Sequence, residues 1–105
     1  MADTPAKRIR GLSGRESFGK DDAMLFVFNE SRRYTFWMQG MRFSIDMVWL
    51  DEKRKVVHIA ENAKPCRFII DCRPYAPKRP AKYVVEFHAG TARRMGLKAG
   101  ESLSI

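Results

Sequence analysis

Tyr34 to Leu50 reads YTFWMQGMRFSIDMVWL. The stretch holds both tryptophans, three of the six methionines and two of the seven phenylalanines, with one acid, Asp46, set among them. A run this apolar must be buried, and a carboxylate inside it needs a partner, because removing a charge from water without compensation is costly. Gly40, between Gln39 and Met41, breaks the run in two. Before the break, Arg33 to Met38 reads as a strand with Phe36 and Met38 on one side and Trp37 on the other. After it, Ile45 to Leu50 reads as a strand with Ile45, Met47 and Trp49 facing one way and Asp46, Val48 and Leu50 the other.

The flanks extend the same pattern. Upstream, Met24 to Phe28 is a continuous apolar run, and Asn29 to Arg32 has turn composition, so the two strands around it are expected to form a hairpin. Downstream, the polar turn Asp51 to Arg54 leads to a strand over Lys55 to Glu61, with Val57 and Ile59 opposite Val56, His58 and Ala60. A short strand is expected at Cys66 to Ile70, and Asp71 to Pro80, with three prolines, is irregular. Lys82 to His88 is a strand with Tyr83, Val85 and Phe87 opposite Val84, Glu86 and His88. Thr91 is expected to cap a short helix over Ala92 to Met95 that Gly96 ends, and Ser102 to Ile105 closes the chain as a last strand. At the other terminus, Thr4 and Pro5 start a helix of one to two turns that Gly11 or Gly14 stops. These elements predict a single domain over residues 1–105 of mainly β (α+β) class. The expected architecture is a compact, antiparallel, barrel-like sheet of about six to seven short strands with two short helices.

Composition narrows the function. Apolar residues make up 45% of the chain and aromatics 11%, too rich for a disordered tail. No run of about 18 apolar residues is present, so no membrane span is expected. The start, MADTPAKRIRG, is polar and basic, which reads as a cytoplasmic protein, or as an exported one if an upstream signal segment has been removed. The net charge is +8, from basic pairs spread along the chain at Lys7-Arg8, Arg32-Arg33, Lys78-Arg79 and Arg93-Arg94. Such a field suits a solvated surface, an anionic ligand or protein partner or, less readily because the charges form no single block, nucleic acid. Cys66 and Cys72 are separated by five residues. That spacing permits a disulfide or two free thiols and is not zinc-ligand spacing, so no metal and no cofactor is expected.

Several segments together resemble a known family. RGLSGR at Arg10 to Arg15, MLFVF at Met24 to Phe28, FWMQGMRFSID at Phe36 to Asp46 and KYVVEFHAGTARRMGLKAGESL at the end are similar to the domain-of-unknown-function family 192. That family reads G-L-M-x-R, then G-M-L-F-x-F, then F-W-M-K-N-T-x-x-P-L-D, then V-L-E, A-G, a short helix and G-I-K-x-G-D. The resemblance runs in order along nearly the whole chain. It implies a fold, possession by relatives of a first strand ahead of Ala2-Asp3-Thr4, and no assigned reaction. This chain departs from the pattern at Ser13 for Met, Ala23 for Gly, Gln39-Gly40-Met41 for Lys-Asn-Thr, Ser44 for Pro and Glu101 for the closing Asp.

The candidate site residues are Arg15, Trp37, Gln39, Asp46, His58 and Glu86. Asp46 reads either as a general base or as a structural acid paired with Arg15 or Arg10, which would staple the N-terminal segment to the sheet. Phe36, Trp37 and Met38 read first as core. The sharper reading has Trp37 and the loop Gln39 to Ser44 bordering a ligand pocket. Glu86, His88 and His58 lie on strand faces that can converge, and Glu/His pairs do acid–base work, but no nucleophile stands beside them. Ser13 lacks the context of a nucleophile elbow. The reading favoured is a non-catalytic binding or interaction module with a basic surface. The alternatives are an enzyme acting through Asp46, His58 or Glu86, and a nucleic-acid binder. The oligomeric state expected is a monomer or a dimer paired through exposed strand edges.

Overall fold

The computed structural model describes residues 23–66, 68 and 72–104. The N-terminal helix, Arg10 and Arg15, and most of the strand expected at Cys66 to Ile70 lie outside them. The described elements are β1 (Ala23–Arg32), β2 (Ile45–Leu50), β3 (Val56–Ala63), β4 (Ala81–His88) and a short helix, α1 (Thr91–Met95). The four strands form one sheet in the order β1-β4-β2-β3, antiparallel at every pair. β1 and β3 stand at opposite edges, so the sheet is open. The expectation of a closed, barrel-like sheet of six or seven strands with two helices is corrected: the described residues form four strands and one helix.

The missing strands have a physical account. Arg33 to Met38 does not pair with β1, because β1 runs on through Asn29–Arg32 and takes β4 as its partner. Instead residues 33–44 lie across the sheet, and Phe36 forms a two-bond bridge with Tyr75 (2.9 and 2.8 Å). The alternation that reads as a strand is the alternation of a segment with one side pressed on a core: Phe36 and Met38 turn inward and Trp37 outward. Cys66 makes a single parallel bridge with Gln39, and the expected last strand reduces to one bridge, Lys55 with Ser102.

Register divides the core into two faces. The first carries Phe26, Phe28, Ile45, Met47, Trp49 and Val84 and is covered by residues 33–44 and by the described residues of 64–80, through Tyr34, Phe36, Met38, Met41, Phe43, Cys66 and Tyr75. Its rings meet edge-on, Phe26 with Phe36 at 5.4 Å and Phe36 with Trp49 at 6.1 Å. The buried Trp49 Nε1–H donates to the Tyr34 carbonyl (3.0 Å), so its one polar atom is satisfied. The two covering segments run side by side, joined by Arg33 Nε–H to the Pro77 carbonyl (2.9 Å) at one end and the Gln39–Cys66 bridge at the other. A disulfide joins Cys66 to Cys72, with their Cα atoms 5.5 Å apart.

The second face carries Val48, Leu50, Val56, Val85 and Phe87, with Leu97 and Leu103 of the C-terminal tail packed on it. The tail is tied to the start of β3 by Val56 N–H to the Glu101 carbonyl (2.8 Å) and Gly100 N–H to the Val56 carbonyl (2.7 Å).

Candidate functional site

Asp46 is fully buried on the second face. Opposite it β3 carries a bulge: Ile45 pairs with Ala63 and Met47 with Ala60, so Glu61 and Asn62 together face one residue. Asn62 adopts the left-handed region (φ 52°), which asparagine tolerates, and its freed N–H donates to Asp46 Oδ1 (2.8 Å). The other oxygen, Oδ2, accepts from Gly90 N–H (3.0 Å) and Ala92 N–H (2.9 Å). Gly90, at φ 94°, is the residue that precedes α1, and no side chain of the helix itself caps it. The expectation that Thr91 caps the helix is therefore corrected: a carboxylate from a distant strand takes the N–H groups the helix leaves free. Gly96 ends the helix as expected.

Arg10 and Arg15, the ion-pair partners expected for Asp46, lie outside the described residues. What the structure shows is a carboxylate with both oxygens engaged by three backbone amides. A proton-abstracting role for it would break the staple that holds α1 to the sheet. A cleft of about 370 Å³ opens beside it, lined by Asp46, Glu61, Asn62, Ala89, Gly90 and Arg93. Glu61 and Arg93 face each other there at 3.8 Å with exposed side chains, a pair that contributes little.

Glu86 and His58 lie on the first face in different cross-strand rows. Glu86 stands between Met24 and Met47, and His58 stands opposite Trp49, whose ring is 5.4 Å away. Glu86 is buried, its Oε1 finds no hydrogen-bond partner among the described residues, and burial pushes its pKa up to about 8. His58 is held below the usual histidine value, first by burial and then by the charge of Lys78. His88 stacks on Phe43, with Nδ1 3.2 Å from the Ala89 carbonyl oxygen. Asp46 points to the opposite face, so the three candidate acid–base residues do not converge.

The covering layer was not singled out by sequence reasoning. Its described residues include six basic side chains, Arg33, Arg42, Lys64, Arg73, Lys78 and Arg79, and no acidic one. The other described residues are nearly balanced, with Arg32, Lys53, Arg54, Lys55, Lys82, Arg93, Arg94 and Lys98 against Glu30, Asp46, Asp51, Glu52, Glu61, Glu86 and Glu101. Trp37 and Phe68, 48% and 64% exposed, stand on the same layer; Trp37 is therefore surface and not core. Gln39 is exposed beside it. A second cleft, of about 230 Å³, opens between the two segments, lined by Met38, Lys64, Pro65, Cys66, Arg73 and Tyr75.

Comparison with known proteins agrees with the motif resemblance. The model of a family described as "Uncharacterized ACR", DUF192, matches residues 1–105. A UPF0127 protein of Thermococcus kodakarensis is 33% identical over 106 residues, covering 99% of this chain and 62% of its own length. The chain thus spans about three-fifths of that relative. A crystal structure of a protein of unknown function from Novosphingobium aromaticivorans superposes with a TM-score of 0.89 at 31% identity, covering 99% of this chain and 71% of that one. Another, a candidate transcription regulator from Sinorhizobium meliloti, has a TM-score of 0.88 at 32% identity, covering 98% and 77%.

Proposed function

The chain belongs to DUF192, a family described as uncharacterised, and on that premise we propose that it is a non-catalytic binding module that meets an anionic ligand or protein partner through the layer over its first face. The observation that carries this reading is the segregation of charge: six cations without a described acid, beside two exposed aromatic side chains, on segments that the sheet holds side by side. Like charges gathered on one surface repel each other and are relieved by a counter-charged partner. Exposed Trp and Phe supply the apolar contact that fixes such a partner in place.

Retention on an immobilised polyanion tests it. Two triple variants with equal change in net charge are compared, Arg42→Glu/Lys78→Glu/Arg79→Glu in the layer and Lys53→Glu/Lys55→Glu/Lys98→Glu outside it. The first is expected to elute at much lower salt than the second. Equal elution would mean that net charge alone governs retention, and the reading would fail.

A second reading is favoured by the same aromatics. Bases of a single strand stack on exposed rings set among cations, and the similar Sinorhizobium protein is described as a candidate transcription regulator. A nucleic-acid binder shows affinity for a labelled single strand that falls steeply with salt and falls again on Trp37→Ala.

A further inference from the structure

Among the described residues the layer contains a concave feature whose construction is specific. Its walls come from three short pieces of chain: Met38, the run Lys64-Pro65-Cys66, and Arg73 with Tyr75. Met38 is buried, Cys66 and Tyr75 are half-buried, and Lys64 and Arg73 are exposed. Apolar groups therefore lie deepest and cations outermost. No described acidic residue lines the cleft, and no described residue forms an ion pair with Lys64 or Arg73. Two cations at the rim of an apolar hollow repel each other and would separate unless the chain holds them. The chain does hold them. Lys64 lies two residues before Cys66 and Arg73 follows Cys72, and the disulfide fixes those two Cα atoms 5.5 Å apart. The Phe36–Tyr75 bridge and the Gln39–Cys66 bridge then seat both runs on the first face.

We propose that this cleft is an anion-binding subsite, taking a carboxylate or phosphate group carried on a compact apolar body, with Lys64 and Arg73 held in place by the Cys66–Cys72 disulfide. The inference deepens the binding-module reading and rests on it. The anionic group sits between the ammonium of Lys64 and the guanidinium of Arg73, which matches a planar or tetrahedral oxyanion with paired donors. The apolar body enters against Met38, Tyr75 and the disulfide. At about 230 Å³ the hollow is below the ~300–1,000 Å³ of sites for drug-sized ligands. It therefore suits a ring- or residue-sized group, whether a free small molecule or the end of a polypeptide.

The probes are phenyl phosphate and benzoate, N-acetyl-phenylalanine with its neutral amide, and benzyl alcohol, followed by backbone amide chemical shifts and titration calorimetry on the full chain. Phenyl phosphate or benzoate is expected to shift the amides of 64–66 and 73–75. Affinity is expected to fall at least about tenfold in Lys64→Gln/Arg73→Gln, as for loss of paired charged hydrogen bonds. It is expected to fall by about tenfold in Cys66→Ser/Cys72→Ser, because the two cations must then be ordered on binding. Stronger binding of N-acetyl-phenylalanine than of benzoate or phenyl phosphate points to a polypeptide terminus as the source, and the reverse to a free small molecule. Its amide and benzyl alcohol are expected not to bind. Binding of benzyl alcohol equal to that of benzoate, unchanged affinity in the glutamine variant, or shifts elsewhere on the molecule would each overturn the subsite. Unchanged affinity in the folded serine variant would overturn the role given to the disulfide. The polyanion test varies Arg42, Lys78 and Arg79 and not the cleft, so the subsite can fail while the module reading stands.

Discussion

Behind the first face of the sheet, two connections whose described charged residues are all basic lie over a cluster of aromatic rings. Behind the second face, a five-residue helix and the C-terminal tail carry both signs and are tied down through backbone amides. Among the described residues each side also buries one carboxyl group, and the two are treated oppositely. Asp46 on the second side accepts three N–H bonds, whereas Glu86 on the first has one oxygen with no partner among the described residues. A buried polar group that is satisfied holds structure together, and one that is not becomes a liability that depends on its protonation. The second side is thus built for fixity. The first carries the basic layer through which we propose that a partner is met, and beneath it lies Glu86, an acid with one oxygen unpartnered among the described residues.

The largest expected effect lies at Glu86. In the unfolded chain its carboxyl ionises at the ordinary value of 4.5, and in the folded protein burial delays ionisation to about 8. Between those values the folded state holds a proton that the unfolded state has lost, so stability falls as pH rises through this window. The contribution is fully present below pH 4.5 and lost above about 8, and amounts to about 5 kcal/mol. Glu86→Gln, which resembles the protonated acid and cannot ionise, is expected to remove this slope from denaturation curves measured between the two limits. A slope that survives the substitution would mean that Glu86 has a partner, and the contrast between the two carboxyl groups would collapse.

Asp46→Ala is expected to cost about 3 kcal/mol, since it strands three partly buried N–H donors together. The loss should concentrate where those donors are: amide exchange at Asn62, Gly90 and Ala92 should speed up before exchange in the centre of β4. Uniform loss of protection across the sheet would show that the carboxylate holds the whole core and not the helix end. Asp46→Asn keeps one acceptor and should fall between wild type and alanine.

These contrasts explain what was readable from the amino-acid order. The faces of β2 and β4 were legible, because period-two alternation of Ile45, Met47 and Trp49 against Asp46, Val48 and Leu50 depends only on strand geometry. The burial of Asp46 was legible for the same reason, but its partners were not. They are main-chain N–H groups, which carry no residue identity, and they were freed by a bulge and a helix end that no local pattern announces. The sequence Tyr34 to Met38 alternates as a strand does. Only tertiary context, with the Tyr34 carbonyl taken by Trp49 and the Phe36 backbone by Tyr75, reveals a segment laid across the sheet. The basic layer was hidden because its charges come from two stretches twenty residues apart along the chain, residues 33–44 and 64–80. Read in order they look scattered; the fold gathers them.

The smallest effect offers a local gauge of that gathering. His58 belongs to the sheet's first face, yet the second cause of its lowered pKa is Lys78, a member of the covering layer. The field of the layer therefore reaches a side chain of the sheet. Because the folded value lies below 6.5, the unfolded chain binds a proton that the folded protein resists. The stability tied to this group is present above pH 6.5 and lost as pH falls through the folded value. Lys78→Gln removes the charge and leaves the burial, so the His58 midpoint followed by NMR should move upward without regaining the ordinary value. Added salt should move it in the same direction in the wild type, and by less in the variant, because an exposed charge is screened and burial is not. An equal response to salt in both proteins would place the source of the field elsewhere, and the charge of the covering layer would then leave the sheet beneath it untouched.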